Sequence, residues 1–151
     1  MSDSSDAAII AGVSDSDRLL IETLYGAFSA GQVDLLDDAV TPNWQDIPLA
    51  PGQAPGREGM KVLINGFLAA FPDAKITVRE MIGAGGRVAV RAEITGTHRG
   101  EWFGIPASGK AFVLPIHEFH IIENGRLTQT RHMEDWLGWM FQVGAWPPGA
   151  N

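Results

Sequence analysis

Pro72 divides this chain between two hydrophobic rhythms, and few features restrict a fold more than a change of period. Before it, apolar residues recur every three or four positions. Leu20, Leu24, Ala27 and Phe28 form one stripe, and Met60, Leu63, Ile64, Phe67, Leu68 and Phe71 form another. After it the period falls to two: Val88, Val90, Ala92 and Ile94 alternate with Arg87, Arg91, Glu93 and Thr95. Helices that precede a run of long strands define an α+β layout, in which helices cover one face of a bent antiparallel sheet.

Local signals set the boundaries. Ser14 or Ser16 can cap a helix from about Asp17, and Gly31 ends it. A short helix is expected over Val33–Ala39 and a longer one over Arg57–Phe71. Thr41–Arg57 holds four prolines and two glycines, so it reads as a loop; its Trp44 and Ile47-Pro48-Leu49 are apolar enough to make it a lid. Strands are expected at Ile76-Thr77-Val78, Arg87–Thr97 and Ala111–Ile122. Asn124-Gly125 then supplies a tight hairpin that returns Leu127–Met133 antiparallel. A two-residue turn there gives partners whose numbers sum to about 249, which sets His117 opposite His132 and turns His120 outward. A last helix follows over Asp135–Val143.

Composition narrows the function classes. At 151 residues with 45% hydrophobic content, one domain can bury one core. Residues 1–14 are small, polar and acidic and are expected to be flexible, leaving 15–151 as the domain. With no cysteine there is no disulfide, thiolate metal site or cysteine nucleophile. A net charge of −7 without a basic cluster argues against nucleic acid. Short apolar runs and an N-terminus without secretory order point away from a membrane and toward the cytoplasm.

Three runs carry a family resemblance: Ala70-Phe71-Pro72-Asp73; Gly96-Thr97-His98-Arg99-Gly100 leading to Gly104–Lys110; and Glu118-Phe119-His120-Ile121 with Glu123–Leu127. Together with Glu134–Gly138 they resemble the SnoaL-like polyketide cyclases, over roughly residues 17–146. The resemblance implies a cone-shaped domain of the nuclear transport factor two-like superfamily: a strongly bent sheet with helices around a closed-ended pocket, often as a homodimer. It also implies intramolecular aldol closure by side-chain acid–base chemistry on a small hydrophobic molecule, with no metal or organic cofactor. Other enzymes on this fold, epoxide hydrolases and isomerases, and plain binding domains are the alternatives.

Aldol closure needs a base near neutral pH and a donor to the enolate oxygen. Flank matching to the family places His132 where an aspartate or asparagine is common. His132 is therefore the expected base, Asp135 its orienter or the alternative base, and His117 the hydrogen-bond donor. Asp46 stands where the family often has a histidine near the pocket mouth, and Arg91 where it often has an arginine able to bind an enolate or to pair with Glu80 or Glu93. Trp44, Tyr25, Phe28, Phe67, Phe119 and Trp136 are expected to supply apolar walls. Convergence of Asp46, Arg91 and Asp135 on one water would favour the epoxide hydrolase alternative. His98, in the Gly96–Gly100 bend, is expected to support the backbone.

Overall fold

The computed structural model describes residues 7–149. In chain order the elements are β1 (Ile9–Ala11), α1 (Asp15–Ser29), a 3-10 turn (Val33–Leu35) running into α2 (Leu36–Ala39), β2 (Val40–Ile47), α3 (Gly56–Ala70), β3 (Lys75–Ala84), β4 (Arg87–Thr97), β5 (Ala111–Glu123), β6 (Arg126–Glu134) and α4 (Trp136–Val143). The six strands form one sheet in the order β1-β3-β4-β5-β6-β2. Its centre, β3 to β6, is an antiparallel meander, while β1 and β2 are added in parallel at the two edges. The architecture is the α+β arrangement expected: helices packed on one face of a curled sheet, in one domain. Among the described residues no helix is long and apolar enough to cross a membrane.

Each helix starts and stops for a local reason. The Ser14 hydroxyl accepts the Asp17 amide at 3.1 Å and Asp15 and Asp17 sit in the first turn of α1, where the helix dipole favours anions. That helix buries Ile21, Leu24, Tyr25 and Ala27, and α3 buries Met60, Ile64, Phe67 and Ala70. The Asp135 carboxylate accepts the Gly138 amide at 2.8 Å and opens α4, and Gly144 closes it at φ 78°, a left-handed conformation suited to glycine. Phe71 anchors the core where α3, the sheet and α4 meet, with its ring centroid 5.0 Å from Phe112 and 5.9 Å from Trp139.

Three sequence expectations change. The N-terminal segment expected to be flexible contributes β1, whose Ile9–Ala11 pair with Glu80–Ile82; residues 1–6 lie outside the described residues. Most of the first half of the expected 41–57 loop is β2, an edge strand. Pro42 escapes the usual penalty because regular pairing lapses between Val40, opposite Leu127, and Gln45, opposite Gln129. The loop is thereby confined to the residues between Ile47 and Gly56.

The third change concerns register. Glu123 pairs with Arg126 and Ile122 with Leu127, as the hairpin requires, but Ile121 then pairs with Gln129. Thr128 is a bulge residue without a partner of its own, and the pairing beyond it slips by one. His117 is opposite Met133, while Glu118 faces His132 and His120 faces Thr130. A one-residue slip exchanges the faces of a strand, so His120, expected outward, is buried, and His117 is exposed.

Gly59 sits in the first turns of α3 against the preceding loop, and a Cβ built there would stand 1.8 Å from the Ala54 carbonyl oxygen. Gly59→Ala must displace that backbone. The expected outcome is a loss of about 1–3 kcal/mol in a urea or thermal melt, the usual cost of overpacking.

Candidate active site

A cavity of about 110 Å³ opens between α1, α3 and the inner face of the sheet. Most of its lining is aromatic or aliphatic, with Tyr25, Phe28, Trp44, Phe67, Trp102, Phe103 and Trp136 among the contributors. Its polar groups come from β5, β6 and the β2 segment: Glu118, Thr130, His132, Glu134 and Asp46, with Gln53 from the following loop. Alternation explains the clustering, since Thr130, His132 and Glu134 are every second residue on one face of β6.

His132 lies at the centre of this wall. Its Nδ1 is 2.6 Å from a Glu134 carboxylate oxygen, and its Nε2 is 2.7 Å from the Pro48 carbonyl and 3.2 Å from Asp46 Oδ1. A carbonyl only accepts, and a carboxylate that meets a ring N–H does the same, so both nitrogens carry protons. Burial opposes that charge. The hydrogen bonds to Asp46 and Glu134 outweigh it, together with the attraction of the two carboxylates, and the imidazolium pKa is pushed up to about 11. Asp46, only 6% exposed, is held from its other side by Gln53, whose amide donates to Oδ2 at 2.9 Å. Gln53 is itself fixed by the Ala50 amide at 2.8 Å.

A second chain of hydrogen bonds lies deeper. The Trp44 indole donates to the Thr130 hydroxyl at 3.1 Å, and that hydroxyl is 2.9 Å from His120 Nδ1. His120 Nε2 lies 3.1 Å from Glu118 Oε2, the same oxygen that accepts the Tyr25 hydroxyl at 2.6 Å. Burial alone would raise the Glu118 pKa; the hydrogen bond and charge interaction with His120, the Tyr25 hydroxyl and the nearby His132 reverse this and hold it low. Burial and the adjacent carboxylate push Tyr25 well above the usual phenol range, so it remains a donor.

The sequence-derived candidates are thus divided. Asp46, His132, Trp44, Tyr25, Phe28, Phe67 and Trp136 line the cavity. His117 and Phe119 do not, because the Thr128 bulge leaves them on the outer face, where Phe119 is 63% exposed. Arg91 pairs with His117 across that outer face, and its Nε donates to Glu80 at 3.3 Å. Asp135 is taken up by capping α4 and does not line the cavity. Asp46, Arg91 and Asp135 therefore do not converge. His98 is buried and its Nδ1 lies 3.0 Å from the Ser108 hydroxyl, in the bend it was expected to support.

Glu118, His120, Thr130, Glu134, Trp102 and Phe103 are additions from the structure. Glu118 and His120 share one strand face by alternation, and the Thr128 bulge sets that face beside Thr130 and His132 on the inner side. Glu134 shares the alternation of Thr130 and His132. Among the described residues no group of three or more His, Cys, Asp or Glu side chains is arranged to hold a metal ion.

A family model described as SnoaL-like polyketide cyclase matches residues 18–143. Among solved structures, TsrD of Streptomyces laurentii is 28% identical, with a TM-score of 0.81 over 88% of this chain and 98% of that one. IdmH of Streptomyces antibioticus is also 28% identical, with a TM-score of 0.75 over 87% and 99%. A protein of Jannaschia sp. CCS1 assigned to the SnoaL-like polyketide cyclases is 25% identical, with a TM-score of 0.73 over 89% and 98%. No curated protein sequence matches.

The charge on His132 gives a titration test. Its folded pKa lies above the ordinary value of 6.5, so its stabilising contribution is fully present below about pH 6.5 and is lost as pH rises through about 11. In ¹⁵N NMR the His132 ring is expected to show two protonated nitrogens at pH 8.5. The double variant Asp46→Asn, Glu134→Gln is expected to lower that titration; a neutral ring at pH 8.5 in the unsubstituted protein would contradict the assignment.

Proposed function

This chain belongs to the SnoaL-like polyketide cyclase family, and from that premise we propose that it transforms a small, largely apolar carbonyl compound by general acid–base catalysis of the intramolecular aldol type. The observation that carries the reading is the Asp46 carboxylate: buried, facing an apolar cavity, and held at both oxygens by His132 and Gln53.

In this scheme Asp46 takes a proton from the carbon beside the substrate carbonyl. The enolate carbon attacks a second carbonyl of the same molecule, a carbon–carbon bond forms, and the new alkoxide recovers a proton from the Asp46 side. His132 has no free lone pair, since both nitrogens face oxygen acceptors. Its role accordingly moves from base to cation: it orients Asp46 and stabilises negative charge as that charge moves to the carbonyl oxygen. Glu134 keeps the imidazole protonated. The largely apolar surround strengthens each of these interactions.

The outer sheet face supports the homodimer as part of this proposal. Val113, Phe119 and Met133 are exposed there on neighbouring strands, with Met133 at 72%. A second copy would cover them. Phe119→Glu is expected to shift the protein from dimer to monomer in light scattering, without loss of helical content.

Catalysis can be read without knowing the natural substrate. Phenylacetone in ²H₂O offers enolisable protons beside one carbonyl in a small apolar molecule, and ¹H NMR follows their exchange. The protein is expected to accelerate exchange above buffer, and Asp46→Asn to lower it by about 10²–10⁴-fold, the usual share of a positioned base, with phenylacetone binding retained. Binding without exchange in the unsubstituted protein would make this a non-catalytic module. Equal exchange in Asp46→Asn would remove Asp46 from the role.

A further inference from the structure

The cavity has an unbalanced charge. Among the described residues its lining carries the carboxylates of Asp46, Glu118 and Glu134 against the single imidazolium of His132. His132 lies between Asp46 and Glu134, and one Glu118 oxygen receives Tyr25 at 2.6 Å and stands 3.1 Å from His120 Nε2. Even with the His120 ring set against Glu118, the three carboxylates outnumber the cationic groups beside them, so the cavity wall carries an excess of negative charge. A neutral ketone gains nothing from that excess, and its enolate would form beside Glu118 and Glu134. An anionic ligand would be repelled.

The rest of the cavity shows how the excess can be used. Phe67 and Trp102 meet at 5.6 Å and 87°, Trp102 and Phe103 at 5.1 Å, and Phe103 and Trp136 at 4.9 Å and 82°. Rings at such tilts turn their electron-rich surfaces in different directions, and all four line the cavity. Such a box attracts organic cations, which shed water more readily than ammonium ions and fit aromatic surfaces. Carboxylates on one side and ring faces on the other are complementary to a flat positive group.

We propose that the carbonyl compound accepted by this site carries a positively charged nitrogen in or on an aromatic ring, with that ring against Phe67, Trp102, Phe103 and Trp136 and its charge offset by the carboxylate excess of the opposite wall. The inference rests on the reading of this cavity as the substrate site and names the substrate class. A cationic ring also suits the chemistry, because it withdraws electrons from the neighbouring carbon and acidifies the proton that Asp46 removes.

N-methylpyridinium, toluene and benzoate share a ring and differ in charge, and each can be titrated into the full chain at pH 7 by saturation-transfer NMR. N-methylpyridinium is expected to bind at least about 10-fold more tightly than toluene, consistent with one cation–aromatic contact plus one charge pair, and benzoate to give no signal. Glu118→Gln, which keeps the shape of the side chain, and Trp102→Leu are each expected to cut that preference about threefold or more. If Trp102→Leu loses its fold by circular dichroism, Phe103→Leu at the exposed edge of the box replaces it. Toluene binding as tightly as the cation, or a preference unchanged in both variants, overturns the assignment. Proton exchange at the acetyl group of 3-acetyl-1-methylpyridinium, followed as for phenylacetone, separates the two readings: exchange with no cation preference removes only the substrate class, and cation preference with no exchange in either ketone removes only the catalytic reading.

Discussion

One unpaired residue, Thr128, determines which side chains of the β5–β6 hairpin face the interior. Without that bulge the pairing set at the Asn124-Gly125 turn would continue, and Thr130, His132 and Glu134 would stand on the convex side of the sheet. With it, all three join Glu118 and His120 on the concave side. The bulge costs a ladder position near the turn, where the structure can tolerate it, and re-aims a whole strand face.

The consequence is a polar wall inside an apolar shell, which is an expensive arrangement. Buried carboxylates and an imidazolium remain ionised only because each has several partners: Pro48 and two carboxylates around His132, Gln53 behind Asp46, and Tyr25 and His120 on Glu118. Removing one partner strands a charge. The same density of partners makes the wall rigid, and rigidity is what acid–base chemistry requires of groups that must meet a substrate at hydrogen-bond distance.

Much of the fold was legible because it is written in local signals. The stripes of α1 and α3, the alternation of β4, and a turn whose Asn124 and Gly125 take positive φ angles of 49° and 71° all depend on neighbours in sequence. The edge strands were not legible: Ile9–Ala11 is too short to show a period, and Val40–Ile47 contains Pro42 and is ordered by pairing with β6 rather than by its own propensity. The bulge was hidden as well. Alternation on either side of Thr128 is regular, and nothing in the sequence says which residue is extra. That is why Asp46 and His132 could be named as candidates while His117 and His120 were assigned to each other's faces. Asp135 caps α4, a position an aspartate before a helix takes for reasons of local structure alone.

The parallel edge strand β2 has a kinetic implication. Glu118, His132 and Glu134 sit on a hairpin that can form from adjacent sequence, but Asp46 and Trp44 reach the same wall from 86 residues away, the separation of Trp44 and Thr130. Contacts of that span are slow to close. The polar wall of the cavity should therefore be among the last features completed as the chain organises, and a molecule with its meander already paired would still lack the Asp46 carboxylate.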